Sequence, residues 1–340
     1  MAERDLVVVG ASAGGVEALR TLVSGLPLAL PAAVLVVLHV PANGGSALAE
    51  VLSRVSRLPV APAVDGQLLQ RGTVTVAVPD QHVLVAGDRL VLSRGPRENG
   101  HRPAVDPLFR SAAQVAGART VAVVLSGTLD DGAAGLLAVR RHGDLAVVQQ
   151  PEDALYDGMP RAALRAAGAD HVLPVAGIGA LLGELVGRPA ADPVDRGGHP
   201  RLRLENAMAA FDADALGTSE RAGEPAGLTC PDCHGPLFSI EEPSIQRYRC
   251  RVGHAWTAQS LAAEQSQAVE GALWMALRSL EEKADLARSM GSRAADRGHR
   301  LTAARFTDQA REAHEAALLL RELLQRASAP QPDAELEAGG

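Results

Sequence analysis

The chain has 340 residues, 47% of them hydrophobic, and a formal net charge of -7, enough apolar material for more than one core and a length at which two domains are expected. No cluster of Lys or Arg stands out from this acidic balance, which argues against a nucleic-acid partner on electrostatic grounds. The longest apolar stretch, "LPLALPAAVLVVLHVPA", carries Pro27, Pro31, Pro41 and His39, so no direct membrane insertion is expected.

In chain order, "MAERDLVVVG" runs straight into a strand without the features of a secretory signal, and a cytoplasmic location is the expectation. Up to residue 188, strand-like runs ("DLVVVGA", "AVLVVLHV", "VTVAVP", "TVAVVLSG", "LAVVQQ") alternate with Ala/Leu-rich helical stretches. Nearly continuous Val and Leu is what strands buried on both faces require. Residues 1–188 are therefore expected to form an α/β domain with a doubly wound, mostly parallel sheet flanked by helices. "VTVAVPDQHVLVAGDRLVLS" reads as adjacent strands turning at Pro79-Asp80 and Gly87-Asp88, which predicts an antiparallel part of that sheet.

Residues 189–227 shift to Gly, Pro, Asp, Arg and Ser and read as a linker, with "LENAMAAFDADAL" a short helix inside it. Residues 228–262 hold all three cysteines, and 263–328 show helical periodicity. Val269, Leu273, Ala276, Leu280, Ala284 and Ala287 form one apolar stripe, and Phe306, Ala310, Ala313, Ala317, Leu320 and Leu324 another. With Gly291 to Gly298 between them, the two stripes predict an antiparallel helical hairpin. Residues 329–340 are expected to be a disordered acidic tail.

The stretch "LVVVGASAGGVEAL", residues 6–19, is a strand that breaks on small residues and resumes as a helix. Such a corner offers N–H groups and a dipole end to a phosphate or to an oxyanion. A dinucleotide fingerprint needs a middle glycine where Ser12 stands, and an acid where the second strand ends in His39; no Lys follows as in a P-loop. Gly10-Ala11-Ser12-Ala13-Gly14 instead fits the turn that lifts a serine oxygen above a sheet, although Ser12 could equally N-cap the helix. In an open parallel sheet reactive groups gather at the carboxyl ends of strands. Ser12, His39 and either Asp130 or Asp131 all follow such ends, as a nucleophile, a base and an orienting acid.

With "HRPAVDPLFRSAA", "LSGTLDDGAAGL" and "GMPRAAL" added in order, the chain resembles the catalytic domain of the chemotaxis protein-glutamate methylesterase (CheB) family over residues 5–185. The resemblance implies a serine hydrolase of methyl esters on receptor glutamates, also deamidating glutamines, with no cofactor for catalysis. It implies Ser12, His39 and Asp131 as the triad, Asp131 being the residue before Gly-Ala-Ala-Gly, with Asp130 at a variable position. Backbone N–H groups near Ala13 and Thr128 are the oxyanion candidates, and a methylated chemoreceptor or another methyl-ester-bearing protein is the implied partner. Ala13 replaces the family's frequent threonine, and Gly127-Thr128-Leu129 replaces its usual Gly-Met-Gly. Because the first strand starts near residue 5, the expectation is a receiver-less member not regulated by phosphorylation in cis. Arg102, Asp106 and Arg110 are expected to be structural and to lie at a helix entry, and Met159-Pro160 to form a loop shaping the pocket.

Cys230, Cys233, Cys250 and His254 are spaced C-x2-C, sixteen residues, C-x3-H. Four such ligands suit closed, tetrahedral, structural zinc, and a module this poor in apolar residues needs a staple. His234 is the less suitable fourth ligand because it adjoins Cys233. The stripes of the hairpin need cover, which packing on each other, a partner, or a homodimer through the C-terminal helices would supply. The alternative to an esterase is a non-catalytic signalling scaffold that recruits partners through the zinc and helical region.

Overall fold

The computed structural model describes residues 2–44, 47–190, 200–217 and 223–327; the expected acidic tail lies outside them. Two compact units divide the chain, Met1–Leu261 and Ala262–Gly340.

The first unit begins with β1 (Leu6–Ala11), α1 (Gly15–Ser24), β2 (Ala33–Leu38), α2 (Leu48–Ser53), β3 (Val60–Pro62), β4 (Thr73–Val76), β5 (His82–Ala86) and β6 (Arg89–Ser93). It continues with α3 (Val105–Ala116), β7 (Thr120–Val124), α4 (Ala133–Arg141), β8 (Leu145–Gln149), α5 (Gly158–Ala167), β9 (His171–Leu173) and α6 (Val175–Leu185). Seven strands form one parallel sheet in the order β3-β4-β2-β1-β7-β8-β9. Along β1, Val7, Val9 and Ala11 face a core shared with Leu19 and Leu22 of α1 and Ile178 and Leu182 of α6. Leu6 and Val8 face the opposite core, with Leu108 and Phe109 of α3, Leu136 of α4 and Ala163 of α5. Helices therefore cover both faces, and the doubly wound reading holds.

The antiparallel expectation needs correction. β4 belongs to the parallel sheet, while β5 and β6 pair antiparallel in a separate two-stranded sheet. Gly87 makes their tight turn with a positive φ of 62°, but Pro79-Asp80 links two sheets rather than two neighbouring strands, a distinction invisible to local turn chemistry.

Within 189–227, where one short helix is expected inside a linker, the described residues form two, α7 (Pro200–Ala209) and α8 (Ala213–Gly217). α7 buries Leu202, Glu205 and Met208, and its weak amphipathic pattern is offset by the ion pairing of Glu205. Beyond it, β10 (Pro225–Thr229), β11 (Pro236–Ile240), β12 (Arg247–Cys250) and β13 (Ala255–Thr257) form a four-stranded antiparallel sheet around Leu237, Tyr248, Trp256 and Leu261.

The helical hairpin is α9 (Ala258–Asp296) and α10 (Arg300–Ala327). α9 thus begins inside the cysteine-bearing stretch and runs through Gly291, where the Phe306 Cβ would lie 3.4 Å from an added methyl group. Leu273, Leu277 and Leu280 pack with Ala317, Leu320 and Leu324. Leu277 takes the buried place; Ala276 and Val269 are exposed, because the stripe drifts around a long straight helix.

Candidate active site

β1 and β2 are in register to their last residues, Ala11 opposite Leu38, so Ser12 and His39 stand at equivalent positions one step beyond the sheet. β7 flanks β1 on its other side. The chain order thus reverses its direction across the sheet at β1, and the crevice outside such a switch point is where open parallel sheets place reactive groups.

The turn at Ser12 is held from the β7 side. Ser12 N donates to Ser126 O at 3.0 Å, and the Ser126 hydroxyl donates to Ala13 O at 2.8 Å. Gly14, not Ser12, is the N-cap of α1; it has φ 69° and leaves no room for a Cβ against Ser126 and Leu155. Gly127 is similarly enclosed between Met159 and the Ser12 Cβ. Met159 and Pro160 lie in α5 rather than in a loop, with Met159 N donating to Gly127 O at 2.8 Å. The helix begins there because its first turn needs no N–H from Pro160.

Ser12 Oγ lies 3.0 Å from His39 Nδ1, and His39 Nε2 lies 2.7 Å from Asp131 Oδ2. The His39 and Asp131 side chains are only 6% and 3% exposed. Asp131 also accepts from Val105 N at 2.6 Å, Asp106 N at 3.3 Å and Asn99 Nδ2 at 3.1 Å. Burial would raise its carboxyl, but the bond to and charge of His39, with the Val105 N–H, hold it well below the usual carboxylate range. An ionised Asp131 places the imidazole proton on Nε2 and leaves Nδ1 as an acceptor for the serine hydroxyl.

Asp130 points elsewhere, accepting at Oδ1 from the Thr257 and Ser260 hydroxyls, each at 2.7 Å. Burial raises its carboxyl despite these donors. Ala13 and Thr128 flank the site through their neighbours Ser12 and Gly127. A cavity of about 340 Å³ runs along His39, Arg97, His101 and Arg102, and another of about 570 Å³ along Thr128, Leu129 and Tyr156.

Three residues around the site carried no local signal in the sequence. His101 stacks on His39 with ring centroids 3.7 Å apart; burial, then the His39 charge, lowers it to about 4, so it is neutral near pH 7. Asn99 and Thr257 are joined to the acid loop only through the tertiary fold. Arg102 bonds Asp80 Oδ1 at 2.6 Å and the carbonyls of Arg94 and Gly95. Asp106 accepts from Gly135 N at the start of α4 at 2.6 Å, and burial together with Asp131 pushes it up to about 8. Arg110 is buried against Glu98 at 2.6 Å and Glu205 at 3.3 Å. All three hold loops and helices together.

Cys230, Cys233, Cys250 and His254 bring one ligand atom each within 4.8 Å of one another. Cys233 Sγ is 3.6 Å from Cys250 Sγ, and His254 Nδ1 is 3.6 Å from Cys250 Sγ and 3.8 Å from Cys230 Sγ. A tetrahedron around zinc has edges of roughly 3.8 Å between thiolates and 3.5 Å from thiolate to imidazole, from bond lengths of about 2.3 and 2.0 Å. The donor set and its spacing fit that ion, and 3.6 Å is far too long for a disulfide. His234 instead donates its N–H to Cys230 O, closing the knuckle turn.

Comparison with known proteins agrees with this architecture. The family model described as CheB methylesterase matches residues 7–182. The protein-glutamate methylesterase/protein-glutamine glutaminase 2 of Rhodospirillum rubrum is 39% identical over 175 residues, covering 50% of this chain and 48% of that protein. The corresponding protein 1 of Anaeromyxobacter dehalogenans is 42% identical over 174 residues, covering 50% of each. The chain thus spans about half the length of these curated relatives. The crystal structure of the Thermotoga maritima CheB methylesterase catalytic domain matches with a TM-score of 0.52 and 33% identity, covering 54% of this chain and 100% of that one. The chain belongs to the CheB methylesterase family.

Proposed function

We propose that this chain hydrolyses glutamate methyl esters on chemoreceptor-like proteins, and deamidates glutamines at the same site, through Ser12, His39 and Asp131. The observation that carries the reading is the continuous hydrogen-bond path from Ser12 Oγ through the His39 ring to Asp131. His39 Nδ1 takes the serine proton as Oγ attacks the ester carbonyl, and Asp131 stabilises the imidazolium. The N–H groups near Ala13 and Thr128 hold the oxyanion. Methanol leaves with the proton from Nδ1, and water activated by the same nitrogen releases glutamate and free serine. For a glutamine the leaving group is ammonia. The missing hydroxyl at Ala13 leaves a backbone oxyanion hole intact.

Zinc at Cys230, Cys233, Cys250 and His254 would be structural, since four protein ligands leave no open position. Catalysis itself uses no cofactor. Among the described residues no helix is long and apolar enough to cross a membrane, in keeping with a cytoplasmic site of action. A homodimer through α9 and α10 belongs to the same proposal, supported by Leu286, Leu319 and Leu323, which are at least half exposed. A monomeric mass in sedimentation equilibrium would remove it.

The deciding experiment is methanol release from a methylated chemoreceptor cytoplasmic fragment. Ser12→Ala is expected to reduce it by about a thousandfold or more while leaving the fold unchanged; equal release from both proteins overturns the assignment.

A further inference from the structure

Immediately after His254 the chain forms β13, which lies along residues 97–99: Ala255 N donates to Arg97 O at 3.2 Å, and Asn99 N donates to Ala255 O at 2.8 Å. From this strand Thr257 reaches the acid loop twice. Its N–H donates to Asn99 Oδ1 at 2.9 Å, and Asn99 Nδ2 donates onward to Asp131 Oδ1 at 3.1 Å. Its hydroxyl donates to Asp130 Oδ1 at 2.7 Å while accepting from Ser260 N at 3.1 Å, so the same oxygen caps α9. The Ser260 hydroxyl donates to that Asp130 oxygen as well.

Asn99, Asp130, Asp131, Thr257 and Ser260 are all buried, so these bonds do not compete with water. Asn99 holds a positive φ of 52°, a conformation asparagine tolerates and most side chains resist. Two residues on, the same segment carries His101, the ring stacked on His39. Between them Gly100 lies against Trp256, where an added Cβ would come within 3.4 Å of the indole. One short strand thus abuts the segment that fixes both the acid and the imidazole of the proposed triad.

We propose that Asn99 and Thr257 are positioning residues for Asp131, and that β13, the strand following the ligand candidate His254, sets the geometry of the Ser12–His39–Asp131 path. The proposal rests on the esterase reading of that path. It makes the reactivity of Ser12 depend on the cysteine-bearing module without any group of that module touching substrate. A carboxylate misplaced by even 1 Å can cost orders of magnitude in rate.

Two readouts on the full chain test this: the rate at which a fluorophosphonate labels Ser12, and the downfield N–H proton resonance of His39 Nε2. Asn99→Gly keeps the backbone conformation and removes the strut. It is expected to slow labelling about tenfold and to shift or broaden the resonance. Thr257→Val keeps the N–H to Asn99 but frees the neighbouring Asp130 from the hydroxyl, so it should act in the same direction more weakly, and Thr257→Ser, which restores the hydroxyl, should recover wild-type behaviour. Stripping metal from the wild-type chain should move the resonance as Asn99→Gly does.

Unchanged labelling and an unchanged resonance in both Asn99→Gly and Thr257→Val overturn the positioning role. A resonance unmoved in the metal-free chain breaks the link to the strand after His254. A wild-type Ser12 that never labels overturns the esterase reading instead. Because the resonance requires no turnover, it still decides whether Asn99 and Thr257 hold Asp131.

Discussion

Every residue of β1, β2 and β7 is buried, almost all of them aliphatic, whereas β10 alternates between exposed and half-buried positions and β12 buries the sequence Arg-Tyr-Arg-Cys. In the parallel sheet, burial of Val and Leu on both faces is enough to hold Ser12 and His39 one step past the strand ends. In the β10–β13 sheet the apolar cluster is small, and charge takes over. Glu205 of α7 and Glu98 face Arg110, Arg247 and Arg249, all at most 5% exposed. Burial by itself raises the Glu205 carboxyl, but Arg247, Arg249 and Arg110 outweigh it and hold it at about 2. A large core positions residues by shape; a small one needs directional bonds, and those tie it to its larger neighbour.

Removing the proposed zinc should separate the two regions most widely. Structural zinc in small modules supplies on the order of 10 kcal/mol, so a chelator is expected to unfold β10–β13 and leave the parallel sheet standing. Trp256 is 2% exposed and Trp274 is 52% exposed; a red shift of the buried indole's emission with little loss of far-ultraviolet signal is the expected result. No shift after complete metal removal would mean that the module stands on its own packing.

Next in size is the charge cluster. Glu205→Ala leaves three buried arginines with Glu98 and, at 3.9 Å from Arg247, the less buried Glu242, and breaking such a pair costs about 3–5 kcal/mol. The exposed pair of Arg54 with Glu50 serves as a control, since Glu50→Ala should cost less than about 1 kcal/mol. Denaturant midpoints measure both, and equal shifts would deny the cluster any special role.

The most local effect lies at Asp144, just before β8, and depends on pH. Burial pushes Asp144 up to about 9, although Thr120 N donates to it. A carboxyl whose folded pKa is raised holds its proton while the unfolded chain releases it. Its contribution is therefore full below about pH 4 and is lost as pH rises toward 9. Asp144→Asn should remove up to about 1.4 kcal/mol per pH unit from the slope of stability in that window. Parallel curves for the two proteins between pH 5 and about 8 would show that Asp144 is ionised in the fold.

Legibility in the sequence followed the same division. Ser12, His39 and the pair Asp130-Asp131 could be picked out as candidates because each follows a strand whose continuous Val and Leu announces its burial, and the fold brings strand ends together; the family resemblance singled out Asp131 of the pair. The spacing that brings Cys230, Cys233, Cys250 and His254 together was equally local. Asn99, Thr257 and Glu205 could not be found that way. Each bonds to a residue at least 32 positions distant, and no periodicity or motif encodes such a pairing. The helix expected inside 189–227 was legible, but not what anchors it, since α7 is held by the ion pairs of Glu205 as well as by Leu202 and Met208.

The sequence by itself determined the parallel sheet, the residues at its carboxyl edge, the Cys-His cluster and the helical hairpin, because hydrophobic period and short spacing are local properties of the chain. Residue spacing left the two adjacent acids open and the resemblance favoured Asp131; only the tertiary structure turned Asp131 toward His39 and Asp130 toward Thr257, and set the β5–β6 pair apart from the main sheet. It alone joined β13 to the acid loop. The bonds of Asp131, Asp130 and Thr257 join groups far apart in the chain, and in a low-dielectric interior such buried donors and charges gain most from a partner wherever the folded chain supplies one.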